Sequence, residues 1–174
     1  MRKLIITLIL VLMPTLFFAQ SVFDKFEDKD GVTTVVVNKK MFELIGNTKT
    51  DPKNKESKQY LDLVKKLDNL KMFTTGNAKI AGEMKATVES YLKKYPLDEL
   101  MRVNEGGRNI KIYVKTGATS TQVRELLMFI DGGSAKDETV IMSLTGNFDL
   151  SEVSILTDQM NLPGGEHIKK ASKK

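Results

Sequence analysis

Apolar positions along this chain change their spacing three times. Residues 4–13 form one run in which Thr7 is the sole polar member, residues 57–95 recur mainly at helical spacing, and residues 99–144 turn to the alternation of strands. After the first run, Phe23 and Phe26 stand three apart in a polar stretch ended by Asp30-Gly31, which predicts a short amphipathic helix over 20–31. Val32-Thr33-Thr34-Val35-Val36-Val37 is dense in β-branched residues and predicts a strand buried on both faces. A helix follows over 39–45 and stops at Gly46-Asn47. Residues 47–56 hold no large apolar side chain and read as an exposed loop.

Ser57 is placed to cap a helix carrying Tyr60, Leu61, Val64 and Leu67. Residues 70–75 form a short strand, and Gly76-Asn77 turns it into the clearest helix of the chain, 78–95. That helix carries Ile80, Met84, Val88, Tyr91 and Tyr95 on one face, with Lys85, Glu89 and Lys93 laddered on another, and Pro96 closes it. Residues 99–105 then alternate, Gly106-Gly107 supplies a tight hairpin turn, and Ile110, Ile112 and Val114 alternate with Lys111, Tyr113 and Lys115. Beyond a loop at 117–121, residues 125–130 and 139–144 are two more strands, joined through Asp131-Gly132-Gly133-Ser134. Asp149 and Glu152 form a capping box for a last helix bearing Val153, Leu156 and Met160, which ends at Leu162-Pro163-Gly164-Gly165.

This order predicts an α+β fold: a largely antiparallel sheet, made of a C-terminal four-strand meander plus N-terminal strands, with helices packed on one face. The domain organisation expected is a leader over 1–19, a single domain over 20–162 and a basic, disordered tail over 163–174. Val37 to Leu44 and Leu144 to Leu150 echo one another, each running from strand through Phe-acid-Leu toward a helix, as a duplicated unit would.

Residues 1–19 have the layout of a secretory signal peptide. Arg2 and Lys3 precede the apolar run, Pro14 breaks it, and Ala19 suits cleavage before Gln20, although Phe17 fits the small-residue preference poorly. A retained anchor is the competing reading. A spanning helix needs about 20 apolar residues, and this run is shorter and interrupted. Cleavage leaves no transmembrane segment. We therefore expect an exported protein, periplasmic or surface-associated.

The formal charge of +5 misleads. Arg2 and Lys3 belong to the leader, and Lys169, Lys170, Lys173 and Lys174 to the tail; with those six set aside, acidic residues outnumber basic ones by one. A near-neutral body argues against a nucleic-acid partner, which would want a basic face on the domain itself. The chain has no cysteine, which removes disulfides, thiol nucleophiles and thiolate metal sites. Its one histidine, His167, lies in the expected tail and reads as solvated, so histidine-based triads and zinc sites are excluded as well.

Motifs with chemistry in them are few. Asp28-Lys29-Asp30-Gly31 has the middle of a calcium loop, but the first and twelfth positions fall on Phe26 and Val37, so it reads as a charged turn. Thr75-Gly76-Asn77 opens a helix without phosphate-loop spacing, and capping by Asn77 explains it. We expect no cofactor and no metal. A non-enzymatic binding domain is the preferred function, with Lys111, Tyr113 and Lys115 as its exposed sheet face and Lys169, Lys170, Lys173 and Lys174 as a weak attraction to an anionic envelope surface. The alternatives are a hydrolase of envelope glycans using carboxylates near Asp131 and Glu138, and an envelope-stress or sensory accessory protein with an envelope protein as partner.

The chain also resembles a family. Phe18-Ala19-Gln20, Phe26-Glu27-Asp28-Lys29-Asp30-Gly31-Val32-Thr33, Val35-Val36-Val37-Asn38-Lys39, Met41-Phe42-Glu43-Leu44, Glu125-Leu126-Leu127-Met128 and Ser143-Leu144-Thr145-Gly146-Asn147-Phe148-Asp149-Leu150 resemble the small exported proteins of Bacteroidota grouped as domain-of-unknown-function family 4252. The resemblance spans roughly residues 20–160. It implies a cell-envelope location in a diderm bacterium and supplies no catalytic residues.

Overall fold

Six strands, all paired antiparallel, form one sheet with the order β1-β2-β6-β5-β4-β3. The computed structural model describes residues 21–48, 55–119, 121–132, 137–160 and 166–168. In chain order the elements are α1 (Ser21–Asp24), β1 (Thr33–Asn38), α2 (Lys39–Gly46), α3 (Lys55–Val64), β2 (Leu67–Thr75), α4 (Ala78–Lys94), β3 (Asp98–Glu105), β4 (Arg108–Thr116), β5 (Gln122–Asp131), β6 (Thr139–Asp149), a 3-10 turn (Leu150–Glu152) and α5 (Val153–Met160). The α+β class and the C-terminal meander are as the alternation predicts. The leader at 1–19 lies outside the described residues.

Helices cover both faces of the sheet, not one. Along β5, Val123, Leu126, Met128 and Ile130 join a core under α2, α3 and α5, whereas Leu127 and Phe129 join a second core with Phe23 and Phe26 and with Ile80, Met84, Val88 and Tyr91 of α4. In β6, Met142 and Leu144 lie in the first core and Ile141 in the second. A central strand apolar on both alternating sets needs an apolar layer on each side, so a one-sided arrangement would leave one set in water.

The β-branched run forms β1, but at the sheet edge, with β2 as its neighbour on one side. It is half-buried to exposed along its length, and Val36 remains 45% accessible. β-branching signals a strand and says nothing of its place in the sheet. Leu67 is the first residue of β2 rather than the last turn of α3.

Local signals hold where they are self-contained. Gly106 and Gly107 have φ of 58° and 84° between the paired residues Glu105 and Arg108, the geometry of a two-residue hairpin that favours glycine at both positions. Asn77 accepts from Lys79 N and Ile80 N to start α4. Asp149 and Glu152 complete the capping box, on the 3-10 turn. The two echoing segments each enter a capped helix, yet Phe42 sits inside α2 and Phe148 inside β6, so they are not equivalent in place.

The C-terminal stretch is not all tail. Residues 166–168 form a helical turn in which His167 is 5% exposed and Ile168 is fully buried in the first core. Apolar Ile168 finds a place beside the core residues of α5, which carries this part of the chain back onto the domain. The remaining tail residues, among them Lys169, Lys170, Lys173 and Lys174, lie outside the described residues.

Candidate functional site

Helix α4 lies along the second core face, and its outer side meets β4 in a shallow groove. Val88 and Leu92 of α4 with Tyr113 of β4 and Phe129 of β5 make an apolar floor, and Lys85, Glu89, Asn109, Lys111 and Asp131 make a polar rim around about 70 Å³ of space. The strand period places Asn109, Lys111, Tyr113 and Lys115 on this side of β4, while Ile110, Ile112 and Val114 face the first core.

Tyr113 therefore is not on an open sheet face. It is 8% exposed and belongs to the second core, because the expected solvent face is covered by α4. Its hydroxyl is pushed up mainly by burial, with the Glu99 carboxylate adding to the effect. Lys111 is half-buried at the rim, opposite Arg102 on β3 and Phe129 on β5, and makes no ion pair among the described residues. Lys115 is exposed and stands opposite Glu125.

Charges around the groove are mostly committed. Lys85 Nζ lies 2.8 Å from Asp131 Oδ2, and that hydrogen bond raises the lysine. Arg102 forks onto Glu99, Nε to Oε1 at 3.0 Å and Nη2 to Oε2 at 2.6 Å, which holds the carboxyl below its usual range. Asn109 Nδ2 donates to Asn104 Oδ1 at 2.7 Å, while Asn109 Oδ1 is enclosed with no hydrogen-bond partner among the described residues. The groove thus offers Lys111 as a donor at its rim, with Asn109 beside it.

A buried polar pair lies deeper in the same face. The Tyr91 hydroxyl donates to Glu125 Oε1 at 2.6 Å, and both side chains are buried. Burial raises Glu125 above its ordinary value, against the opposing pull of the Tyr91 hydrogen bond and the Lys115 charge. Sequence reasoning missed this pair. Its trace is one acid directly before the apolar run 126–130, and the bulge between Val123 and Glu125 turns that acid toward α4.

A second depression, of about 370 Å³, opens at the sheet end where Lys66, Thr119, Thr121, Gln122, Asn147, Phe148 and Asp149 gather. Its polar groups are largely spent on the protein itself. Lys66 Nζ pairs with Glu152 at 2.6 Å, Gln122 Oε1 accepts from Ala118 N at 2.7 Å, and Asp149 Oδ1 takes the amide and hydroxyl of Ser151. The groove by α4 is the smaller space with the less satisfied lining.

Of the carboxylates considered for hydrolysis, Asp131 is held by Lys85, and Glu138 is exposed just before β6. Asp28 and Asp30 are exposed in the turn before β1. Among the described residues there is no group of three or more side chains of metal-ligating type. Nor, among them, is any helix long and apolar enough to cross a membrane.

A family model matches residues 26–156: a domain of unknown function, DUF4252. It lies within the span of the resemblance read from the sequence. No curated protein and no solved structure matches the chain.

Proposed function

We propose that this chain, which belongs to the DUF4252 family, is a non-enzymatic binding domain exported to the cell envelope of a diderm bacterium, where it holds an extended segment of an envelope protein. The observation that carries the reading is the groove between α4 and β4. An apolar floor ringed by a few polar groups is the usual make-up of a recognition site. The groove lies over β4 and β5, so a segment seated in it sets an apolar side chain on the floor while its polar groups meet the rim. The signal-like layout of residues 1–19 supports export, and the near-neutral body suits a partner recognised by shape and hydrogen bonds rather than by charge.

A photoreactive amino acid at position 111, in the native organism, tests this. We expect one dominant adduct from position 111, none from position 86 on the exposed side of α4, and loss of the adduct when Asn109→Ala is added. Adducts of equal yield from both positions, or none from either, overturn the reading. Fractionation of the same cells checks export, with a mature chain starting at Gln20 as the expected product.

A further inference from the structure

The two edges of the sheet are built differently. The outer edge of β3 carries Asp98, Glu99, Arg102 and Glu105 and is broken by a bulge between Glu99 and Met101, two devices that discourage strand addition by another molecule of the same kind. β1, the opposite edge, has neither. Its six residues, Thr33-Thr34-Val35-Val36-Val37-Asn38, contain no charge, no proline and no glycine, and they pair residue for residue with β2 without a register shift. The large apolar side chains left exposed among the described residues belong to this strand and the helix that leaves it: Val36 at 45%, Met41 at 50% and Leu44 at 58%. An uncharged, β-branched edge without a bulge is a ready template for pairing with another strand.

We propose that β1 pairs antiparallel with β1 of a second copy, making a two-fold dimer with one continuous twelve-stranded sheet. The flanking charges favour this occupant. Acidic residues precede the strand (Asp28 and Asp30) and basic residues follow it (Lys39 and Lys40). Antiparallel self-pairing brings the acidic end of each copy beside the basic end of the other, twice by symmetry. Lys39 is already held by Asp68 at 2.9 Å, so the available pair is Asp30, exposed and without an ion pair among the described residues, and Lys40, which has only a loose 3.6 Å contact with Glu43.

The faces of the strand restrict the register. A two-fold axis normal to the sheet keeps each face on its own side, so it passes through a residue pair rather than between two. Centring it on Val36 covers the most exposed residue of the strand with its own symmetry mate and sets Val35 against Val37 on the other face. The ladder then closes with Thr34 against Asn38, and Lys40, in the first turn of α2, comes beside the segment that precedes the strand of the second copy. This dimer leaves the groove by α4 and the β3 edge open, because both lie at the other side of the sheet.

Analytical ultracentrifugation of the purified protein, with site-directed disulfide trapping, tests the pairing. We expect a concentration-dependent dimer. Val36→Arg weakens association by roughly tenfold or more, because it sets like charges directly opposite each other. The chain has no cysteine of its own, so Val36→Cys reports without interference. Facing Cα atoms in antiparallel strands sit about 4.5–5.5 Å apart, within disulfide reach, so this variant oxidises to a covalent dimer faster than Ala86→Cys. Asp30→Lys weakens the dimer, and Asp30→Lys with Lys40→Asp restores it, a rescue that a misfolded variant does not give. A monomer at high concentration, a dimer indifferent to Val36→Arg, or equal crosslinking at positions 36 and 86 overturns the proposal.

Discussion

Tyr91, a residue 2% exposed, donates its hydroxyl to the carboxylate of Glu125, a residue 8% exposed, and so fastens α4 to the centre of the sheet through one buried 2.6 Å hydrogen bond. Burial raises Glu125 above its ordinary 4.5. A carboxyl raised in the folded state contributes stability that is fully present below its unfolded value and lost as pH rises through the folded one. Glu125→Gln removes that loss. In urea titrations, the stability of the glutamine variant relative to the parent rises as pH climbs above the ordinary carboxylate range. Tyr91→Phe strips the carboxylate of its donor and costs about 1–3 kcal/mol, more at pH 7 than at pH 4. A difference between Glu125→Gln and the parent that stays flat with pH would contradict this account.

Lys71 on β2 does for α1 what Tyr91 does for α4. Its ammonium contacts Asp24 and, at 2.6 Å, Glu27, with a side chain only 11% exposed. Burial works against the charge, but the two carboxylates outweigh it and hold the lysine raised. Phe23 and Phe26, both buried in the second core, depend on α1 staying docked. Lys71→Met leaves both acids without their cation and costs roughly 1–3 kcal/mol. Hydrogen exchange locates the damage: amides over 21–27 lose protection before those of β6. Loss spread evenly over the sheet would show that the tether is not local.

Ile168 makes truncation an unsafe probe of the lysine tail. The side chain is fully buried in the first core, so cutting the chain after Gly165 removes core volume along with the charges. Ile168→Ala alone costs about 2–5 kcal/mol. A chain ending at Ile168 keeps its melting temperature and loses Lys169, Lys170, Lys173 and Lys174. Envelope retention compared between that chain and the parent isolates the lysines. A parent-like melting temperature for Ile168→Ala would remove this residue from the core.

How legible each feature is follows the distance over which its signal acts. The hairpin at Gly106-Gly107, the Asn77 cap and the Asp149–Glu152 box are each settled within a few residues, and each is readable from the chain. The edge position of β1 depends on β2 inserting beside β6, a pairing between residues 67–75 and 139–146 that no local pattern encodes. The two-sided core follows from apolar residues in both alternating sets of β5 and β6, a signal present in the sequence, but which helix covers which face depends on contacts distant along the chain. Lys111 is legible because it sits in a clean alternation, whereas its groove is not, because Val88, Leu92 and Phe129 come to it from separate elements.

Gly146 is fixed by such a long-range approach. It stands opposite Leu67, where the β2–β6 register shifts, and Lys66 O accepts from Asn147 N at 2.9 Å beside it. A Cβ at position 146 would lie 2.9 Å from Leu67 Cα and closer still to the Lys66 carbonyl oxygen. Both obstacles are backbone, so neither has a rotamer to move away by. Gly146→Ala must therefore displace the turn that joins α3 to β2, which also positions Lys66 for Glu152. The expected cost is roughly 2 kcal/mol or more, as for an overpacked core site. Gly82→Ala, with open space at its Cβ in the exposed part of α4, is the matched control and stabilises by up to about 1 kcal/mol through helix propensity. Urea midpoints read both. Equal midpoints for the two alanine variants would mean that the Lys66–Leu67 turn yields freely, and that the close approach at Gly146 has no part in setting the register.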